Sequence, residues 1–464
     1  MMALNGKTVH IRIGKGVTFR NLPQKAKKKL YSELTFDNPE YLSAVRHGVW
    51  VGSDVPAKLY FFAVSREKDI IWTPRGYIWV MKRWLKQHNY KVKIDDRTLL
   101  LPPINFQFKG ELRDYQKIAV GDVVRRYPIG VLEAATGSGK TVTAIGIIAM
   151  RKQPTLIICH TKELLYQWQE AIKKFLDYEC GLIGDGKFVI KDITVGIINT
   201  VKNKIDELSN RFGHIIIDEC HRAPASTWTE TLTEFSAKYF LGLSATVYRN
   251  DGLGKAIFVH IGPNTHKVDR EMLEDVGAVL KPQIILVKTS YKYGRGFGDE
   301  QGVSYASIIS DLTKNEARNS FICDTISDDL KQNKQNILVV SDRVSHCEEI
   351  AHRLKKMNIK AHTLSGKVNA KDRKEIIEDV RSGKCPVLIS TLSLIAEGFD
   401  SPNLSALFLV TPIKFSGRLI QIVGRILRPE EGKVPRVYDF RDENVKVLRY
   451  SGFARNKIYK SQWG

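Results

Sequence analysis

The chain has 464 residues, 43% of them hydrophobic and 26% charged, the balance of a globular protein long enough for two or three domains. No stretch approaches about 18 uninterrupted apolar residues, and the opening MMALNGKTVHIRIGKG lacks the apolar core of a secretory signal, so a cytoplasmic protein without membrane contact is expected. Six widely spaced cysteines with no C-x-x-C pair argue against zinc and structural disulfides, while the net charge of +22 favours an anionic partner.

That charge is uneven. Residues 1–110 carry 20 Lys+Arg against 8 Asp+Glu, an excess of 12, and the other 354 residues carry 52 against 42, an excess of 10. A local basic surplus of this kind is the footprint of a module that neutralises phosphates. Residues 1–105 read as a small mixed domain. Val9–Ile13 alternates as a strand, Lys58–Val64 and Ile70–Trp72 read as further strands, and Lys25–Leu30 is a basic cluster. Tyr77, Val80, Met81, Trp84, Leu85 and His88 fall at helical spacing and leave Lys82, Arg83 and Lys86 mostly on the other side. Trp50, Trp72, Trp79 and Trp84 are expected in the core, because small domains need large side chains to bury enough area. The candidate nucleic-acid contacts are therefore the cations, Lys27, Lys28, Lys82 and Arg83.

Leu100-Leu101-Pro102-Pro103 marks a linker, since consecutive prolines resist both helix and central strand. Beyond it, short apolar runs alternate with helical segments: Val131–Ala135, Thr155–Cys159, Ile193–Ile198, His214–Asp218 and Tyr239–Leu243, then Ile337–Val340, Ala361–Leu364, Val387–Ser390, Ala406–Val410 and Val437–Phe440. This predicts two α/β domains in tandem, each a parallel sheet with helices on both faces. Residues 247–320, glycine-rich from Tyr293 to Gly298, read as an excursion that joins them.

Chemistry concentrates first at Ala134-Ala135-Thr136-Gly137-Ser138-Gly139-Lys140-Thr141. A strand entering a glycine-rich turn that opens a helix aims backbone N–H groups and a helix N-terminus into one concavity, a phosphate cradle. Thr136, Gly137, Ser138 and Gly139 would line it, Lys140 would reach the outer phosphates of a nucleotide, and the Thr141 hydroxyl would sit on Mg2+. The helix that follows, Val142–Met150, reads as buried. His214–His221 (HIIIDECH) places two carboxylates just past an apolar strand, at the edge where open α/β sheets bind ligands. Asp218 would hold the magnesium, and Glu219 would orient or deprotonate a water attacking the γ-phosphate.

With these motifs in this order, residues 106–440 resemble the superfamily 2 helicases, in which the A-x-x-G-x-G-K-T form of the cradle is usual. Phe108, Arg113 and Gln116 resemble the element that reads adenine, and His160–Trp168, with Thr161 and Lys162, the motif on the nucleic-acid backbone. Ser244-Ala245-Thr246 resembles the motif coupling hydrolysis to strand movement. Ser390–Asp400 resembles the motif that bridges nucleotide and strand, giving Thr391 and Ser393 to the strand and Gly398 and Asp400 to the nucleotide; Gly366 is a further candidate for backbone grip. Gln421–Arg428 resembles the arginine-finger helix, with Gln421 on the nucleotide and Arg425 and Arg428 three residues apart on one helical face. Arg249-Asn250-Asp251 resembles the Arg-Glu-Asp element of XPB-like helicases with asparagine at its centre, and Leu30–Val45 adds a likeness to phage branch-migration helicases of the UvsW kind.

The resemblance implies an α/β fold of two tandem RecA-like parallel-sheet domains, at 106–285 and 286–464, preceded by a small basic α+β DNA-binding domain at 1–105. It implies ATP and Mg2+ as cofactors, and a monomer working on branched or duplex DNA through sequence-independent backbone contacts, in the host cytoplasm if phage-encoded. An RNA helicase and a non-catalytic ATP-dependent clamp are the alternatives. The acidic residues form no separate metal cluster that would suggest a nuclease, and the tail after Phe440 is basic without further meaning.

Overall fold

The β-branched runs singled out in the sequence become the central strands of two parallel sheets, where both faces are covered and no polar alternation is needed. The computed structural model describes residues 8–46, 48–52, 54–222, 226–245, 253–294, 302–366, 368–396, 403–413 and 416–464. Apart from the three-residue tip Thr136–Ser138, the chain divides into two compact units, Met1–Val268 and Asp269–Gly464.

The first unit begins with strands β1 Val9–Ile13, β2 Val17–Arg20, β3 Thr35–Asp37, β4 Lys58–Tyr60, β5 Ala63–Ser65, β6 Ile70–Thr73 and β7 Val92–Asp96. Five of them form a mixed sheet in the order β5-β6-β2-β1-β7, and β3 pairs with β4 outside it. Helix Ile78–Gln87 covers this sheet through Ile78, Met81 and Leu85. Val80 and His88, expected on that inner face, are exposed, Val80 because it lies about half a turn away from the buried three. The tryptophans divide as well. Trp79 and Trp84 pack against the core and Trp72 is half-buried, whereas Trp50 is 85% exposed. Trp50 follows helix Pro39–Arg46, which buries none of its residues, so no core reaches that excursion.

The second sheet of this unit is built from β8 Ile129–Ala134, β9 Thr155–Cys159, β10 Gly181–Gly184, β11 Lys187–Phe188, β12 Ile193–Ile197, β13 His214–Ile217, β14 Tyr239–Ser244 and β15 Asn264–Val268. Their order is β11-β10-β12-β9-β13-β14-β8-β15, parallel throughout except for the short β10–β11 pair. Helix Lys140–Arg151 buries Thr143 to Ile148 as expected, although Met150 turns to solvent.

The basic module is fused to this sheet by one continuous core, which runs from Val9 and Met81 to Phe240 and Ile257. At the seam the buried Arg75 guanidinium donates to the Ala237 carbonyl and lies 4.7 Å over the Phe240 ring. Leu99 N–H donates to the Ser236 carbonyl at 2.7 Å, and Lys238 N–H to the Leu99 carbonyl at 2.8 Å. Gly76 is packed so closely against helix Gly254–Ile261 that a Cβ would meet the Phe258 carbonyl and come within 2.7 Å of the Val259 carbonyl.

The second unit holds β16 Gln283–Lys288, β17 Asn336–Ser341, β18 Ala361–Leu364, β19 Val387–Thr391, β20 Leu404–Leu409 and β21 Arg436–Arg441, all parallel, in the order β16-β21-β20-β17-β19-β18. The expected boundary at residues 285/286 falls inside β16. The excursion expected over 247–320 is largely regular structure: helix Gly254–Ile261 and β15, then helix Arg270–Asp275, β16 and helix Tyr305–Lys314. Short helices and an added strand fill a segment that glycines made look irregular; residues 247–252 and 295–301 of it lie outside the described set. No helix among the described residues is long and apolar enough to cross a membrane, and all six cysteines are buried.

Candidate nucleotide and nucleic-acid site

In the parallel sheet of the first unit β8, β14, β13 and β9 are parallel neighbours, so the turns after them open along one edge. After β8 the chain makes the glycine-rich turn with φ +89° at Gly137 and +76° at Gly139, values open to glycine at no steric cost. A Cβ on Gly139 would lie 2.5 Å from Gln116 Nε2, so the Gln116 amide sits against the turn. Its Oε1 accepts the Arg113 backbone N–H at 2.9 Å, which fixes it at the start of helix Asp114–Arg126. Phe108 stacks on Phe175, their ring centroids 5.8 Å apart. Thr143 N–H donates to the Gly139 carbonyl at 3.0 Å and starts the cradle helix. Thr136 and Thr141 are half-buried and Ser138 is buried. Lys140 Nζ donates to the Ala134 carbonyl at 3.1 Å, across the mouth of the turn.

After β13 stand Asp218 and Glu219. Asp218 is held on three sides: its N–H donates to the Ile158 carbonyl at 3.0 Å, its Oδ1 accepts the Glu219 N–H at 3.0 Å, and its Oδ2 accepts the Trp168 indole N–H at 3.0 Å. Glu219 has φ +49°, a left-handed conformation that costs a side-chain residue energy and that clusters at functional sites. His221 Nδ1 lies 3.2 Å from Glu219 Oε2 and 3.2 Å from Ser244 Oγ at the end of β14. Burial raises the Asp218 carboxyl, with the Glu219 charge adding to it. Burial would also raise Glu219, but the His221 hydrogen bond and the Lys140 charge outweigh it and hold that carboxyl low. Cys220, third in Asp-Glu-Cys-His, turns into the sheet, where a Cβ on Gly242 would lie 2.9 Å from its Sγ.

This donor set fits a magnesium nucleotide. The two left-handed glycines and the helix N-terminus offer N–H groups to phosphate, Lys140 supplies a cation beside them, and Thr141 and Asp218 are hard oxygen donors of the kind Mg2+ takes.

Other candidates fall into three groups. Thr161 caps helix Lys162–Leu176 at the same sheet edge, accepting the Leu164 N–H at 3.4 Å, while Lys162 pairs with Asp185 at 3.1 Å. In the second unit, Gly366 lies just past β18 and Thr391 is the last residue of the neighbouring strand β19, at one edge, and Ser393 falls in helix Leu392–Ala396. In the basic module, Lys28 and Arg83 are exposed, Lys27 pairs with Asp69 at 2.6 Å, and Lys82 lies 5.2 Å over the Trp79 ring. Gly398, Asp400, Thr246 and Arg249–Asp251 lie outside the described residues.

One expectation is corrected. Arg425 and Arg428 do not lie on the helix, because Ser416–Gly424, which carries the half-buried Gln421, has already ended. Arg425, Ile426 and Leu427 donate backwards to Ile422, Val423 and Gly424, a tight turn with three-residue spacing, and Pro429 keeps the residue before it out of helical geometry. The motif reading of His160–Trp168 is sharpened too: the last of these residues is 1% exposed and serves Asp218. Neither that indole nor His221 stood out as a site residue in the sequence. A buried indole needs an acceptor, and a carboxylate behind an apolar strand needs a donor; only the fold shows that they meet.

A glycine-rich phosphate cradle and a fixed carboxylate pair on one edge of a parallel sheet define a nucleotide-hydrolysing α/β enzyme. Residues 109–249 match the model of the type III restriction enzyme res subunit, and residues 317–430 that of the helicase conserved C-terminal domain. The chain is 30% identical over 397 residues to the probable helicase D10 of Escherichia phage T5, covering 85% of this chain and 84% of that one. It is 27% identical over 359 residues to the DNA 3'-5' translocase XPB2 of Sulfurisphaera tokodaii, covering 70% of this chain and 80% of that one. Among solved structures, S. cerevisiae Dbp5 bound to RNA and ADP BeF3 has the same fold, with a TM-score of 0.54 and 16% identity over 75% of this chain and 86% of that chain. The chain belongs to the superfamily 2 helicases, ATP-dependent enzymes built on two RecA-like domains.

Proposed function

We propose that this helicase is a DNA translocase that unwinds or branch-migrates forked and four-way junction DNA in recombination, replication or repair, using ATP and Mg2+ and working as a monomer. The observation that carries the enzymatic part is the run from Lys140 through Glu219 and His221 to Ser244, because it joins a phosphate site to the end of a neighbouring strand. When bound, Mg-ATP supplies the phosphoanhydride whose cleavage drives the motor. Gln116 and Arg113 orient the base, the cradle N–H groups and Lys140 hold the phosphates, and Thr141 and Asp218 hold the metal. Glu219, kept ionised by His221 and Lys140, accepts the proton of the attacking water. Arg425 and Arg428 complete the transition-state charge, a contribution that can reach about three to five orders of magnitude in rate. Gly398, Asp400 and Gln421 sense the nucleotide from the second unit.

The strand is gripped by Thr161 and Lys162 in the first unit and by Gly366, Thr391 and Ser393 in the second, through phosphates and without base readout. DNA is favoured over RNA by the likeness to a DNA translocase over 70% of the chain and by the basic module at residues 1–105. That module would hold duplex through Lys27, Lys28, Lys82 and Arg83. The test is ATPase and strand displacement on single-stranded DNA, a fork, a four-way junction and an RNA duplex, with Lys140→Ala as control. Turnover stimulated by junction DNA and abolished in the variant is expected. Turnover unchanged by Lys140→Ala would remove the ATP site, and stimulation by RNA alone would reassign the substrate.

A further inference from the structure

The last helix, Lys446–Trp463, is amphipathic in an unusual sense. Its inner face is Leu448, Gly452, Arg455, Tyr459 and Trp463, all buried, at the spacing of four and three that keeps one side of a helix against the sheet. This face is fixed by chemistry as well as packing. Arg455 makes bonds of 2.8–3.1 Å to the buried Asp439 of β21, and Tyr459 hydroxyl donates to the same carboxylate at 3.1 Å.

That outer face carries Lys446, Arg449, Tyr450, Phe453, Lys457 and Lys460, all exposed and all within about 100° of one another around the axis. Tyr450 is 63% exposed and Phe453 53% exposed. Single exposed apolar residues need no explanation, but here two aromatic rings one turn apart stand among four cations. The helix sequence, KVLRYSGFARNKIYKSQW, holds no acidic residue, and among the described residues Arg449, Lys457 and Lys460 have no acidic partner. Glu443, the acid just before the helix, pairs with Lys288 at 3.3 Å. Arg449 already lies 5.7 Å over the Phe453 ring, the cation-on-ring arrangement. Aromatic faces set in a cationic groove or stripe are what single-stranded nucleic acid takes: bases stack on the rings and phosphates meet the cations, without sequence preference. From Lys446 to Lys460 the stripe spans about 21 Å at 1.5 Å per residue, room for several nucleotides.

We infer that the outer face of helix Lys446–Trp463 is a second nucleic-acid site, which binds the backbone of single-stranded DNA on Arg449, Lys457 and Lys460 and stacks bases on Tyr450 and Phe453. It lies outside the motif residues of the family, and it rests on the reading that this motor works on nucleic acid. It gives the second unit a strand contact independent of Gly366 and Thr391, one that a nucleotide-driven change in grip at those residues would leave in place.

The test uses the full chain and fluorescence anisotropy with labelled oligo(dT), titrated against salt, on Tyr450→Ala/Phe453→Ala, Lys457→Glu/Lys460→Glu and the conservative Phe453→Tyr. Loss of the two rings is expected to weaken binding about 10-fold or more, with Phe453→Tyr close to the parent. Loss of the two lysines is expected to flatten the slope of log affinity against log salt by about 1.4, from about 0.7 per phosphate on a single strand. Basal ATPase without nucleic acid stays unchanged in all three. Parent-like affinity and salt slope in both double variants would overturn the inference while leaving the proposed function standing. Parent-like oligo(dT) binding together with lost capture of an acidic peptide or of anionic lipid vesicles would overturn it in favour of that partner. Failure of the unmodified chain to bind any oligonucleotide would remove both.

Discussion

Gly76→Ala tests whether the basic module and the first sheet are one body. A Cβ at Gly76 would clash with the Phe258 carbonyl and lie 2.6 Å from Gly262 N and 2.7 Å from the Val259 carbonyl. All three are backbone atoms of helix Gly254–Ile261 and its C-cap, so no side chain can rotate away. To restore ordinary contact near 3.4 Å at the Phe258 carbonyl, the closest of the three, the seam has to open by more than about 1 Å, and forced overpacking of this kind costs about 1–3 kcal/mol. Gly76 has no positive φ to strain, so the whole effect comes from crowding. In a unit of this size that corresponds to a melting transition lowered by about 3–10 °C. Gly121→Ala is the matched control: it lies inside helix Asp114–Arg126 with nothing within 4 Å of its Cβ position, and alanine there should stabilise by about 0.5–1 kcal/mol. The assay is urea and thermal unfolding of the full chain followed by tryptophan fluorescence, to which Trp79 and Trp84 beside the seam contribute. Equal transitions for Gly76→Ala and the parent would refute the close approach, and with it the fused module.

Trp168→Phe removes the indole donor on Asp218 without touching a phosphate contact; loss of a hydrogen bond to a charged group, about 1.5–3 kcal/mol, should raise the Mg2+ concentration for half-maximal ATPase about 10-fold or more, as read from metal titrations of turnover. His260 is buried at the seam against Phe61, with burial holding its pKa near 4 and no hydrogen-bond partner at either ring nitrogen. Its folded-state pKa lies below the unfolded value, so its contribution is complete above about pH 6.5 and is lost as pH falls toward 4, a difference of about 3 kcal/mol. His260→Phe should flatten the fall of the unfolding midpoint from pH 7 to pH 4.5, and an unchanged fall would refute this. Asp439→Asn strips the buried carboxylate shared by Arg441, Arg455 and Tyr459, and should destabilise the second unit by about 3–5 kcal/mol in urea unfolding. Glu443→Gln is its control: the Glu443 carboxylate meets the exposed Lys288 at 3.3 Å, and its loss should change the same transition by less than about 0.5 kcal/mol.

The central strands of both parallel sheets were legible because most are short apolar runs that only a doubly covered sheet can bury, as with Ile215–Ile217 or Val387–Ile389, whereas β10, β11, β15 and β16, with shorter or more polar sequences, were not. The cradle was legible because its glycines, lysine and threonine are local in sequence. What was not legible depends on long-range placement. Trp50 looks like any core tryptophan until helix Pro39–Arg46 is seen to bury nothing. Arg425 and Arg428 keep helical spacing, but Gly424 and Pro429 on either side convert that spacing into a turn. The tail beyond Phe440 shows only positive charge in sequence; Asp439, by taking Arg455 and Tyr459, decides which residues face outward.

His221 bridges two elements of this edge. Its Nδ1 is 3.2 Å from a carboxylate oxygen of Glu219 and 3.2 Å from the hydroxyl of Ser244. A ring nitrogen has one proton or one lone pair, so it serves one of these neighbours fully at a time. The ring's approach to the Glu219 carboxylate, together with the Lys140 charge, helps keep that group ionised, the state a base needs. One imidazole thus stands between the carboxylate beside the phosphate cradle and the end of the neighbouring strand β14.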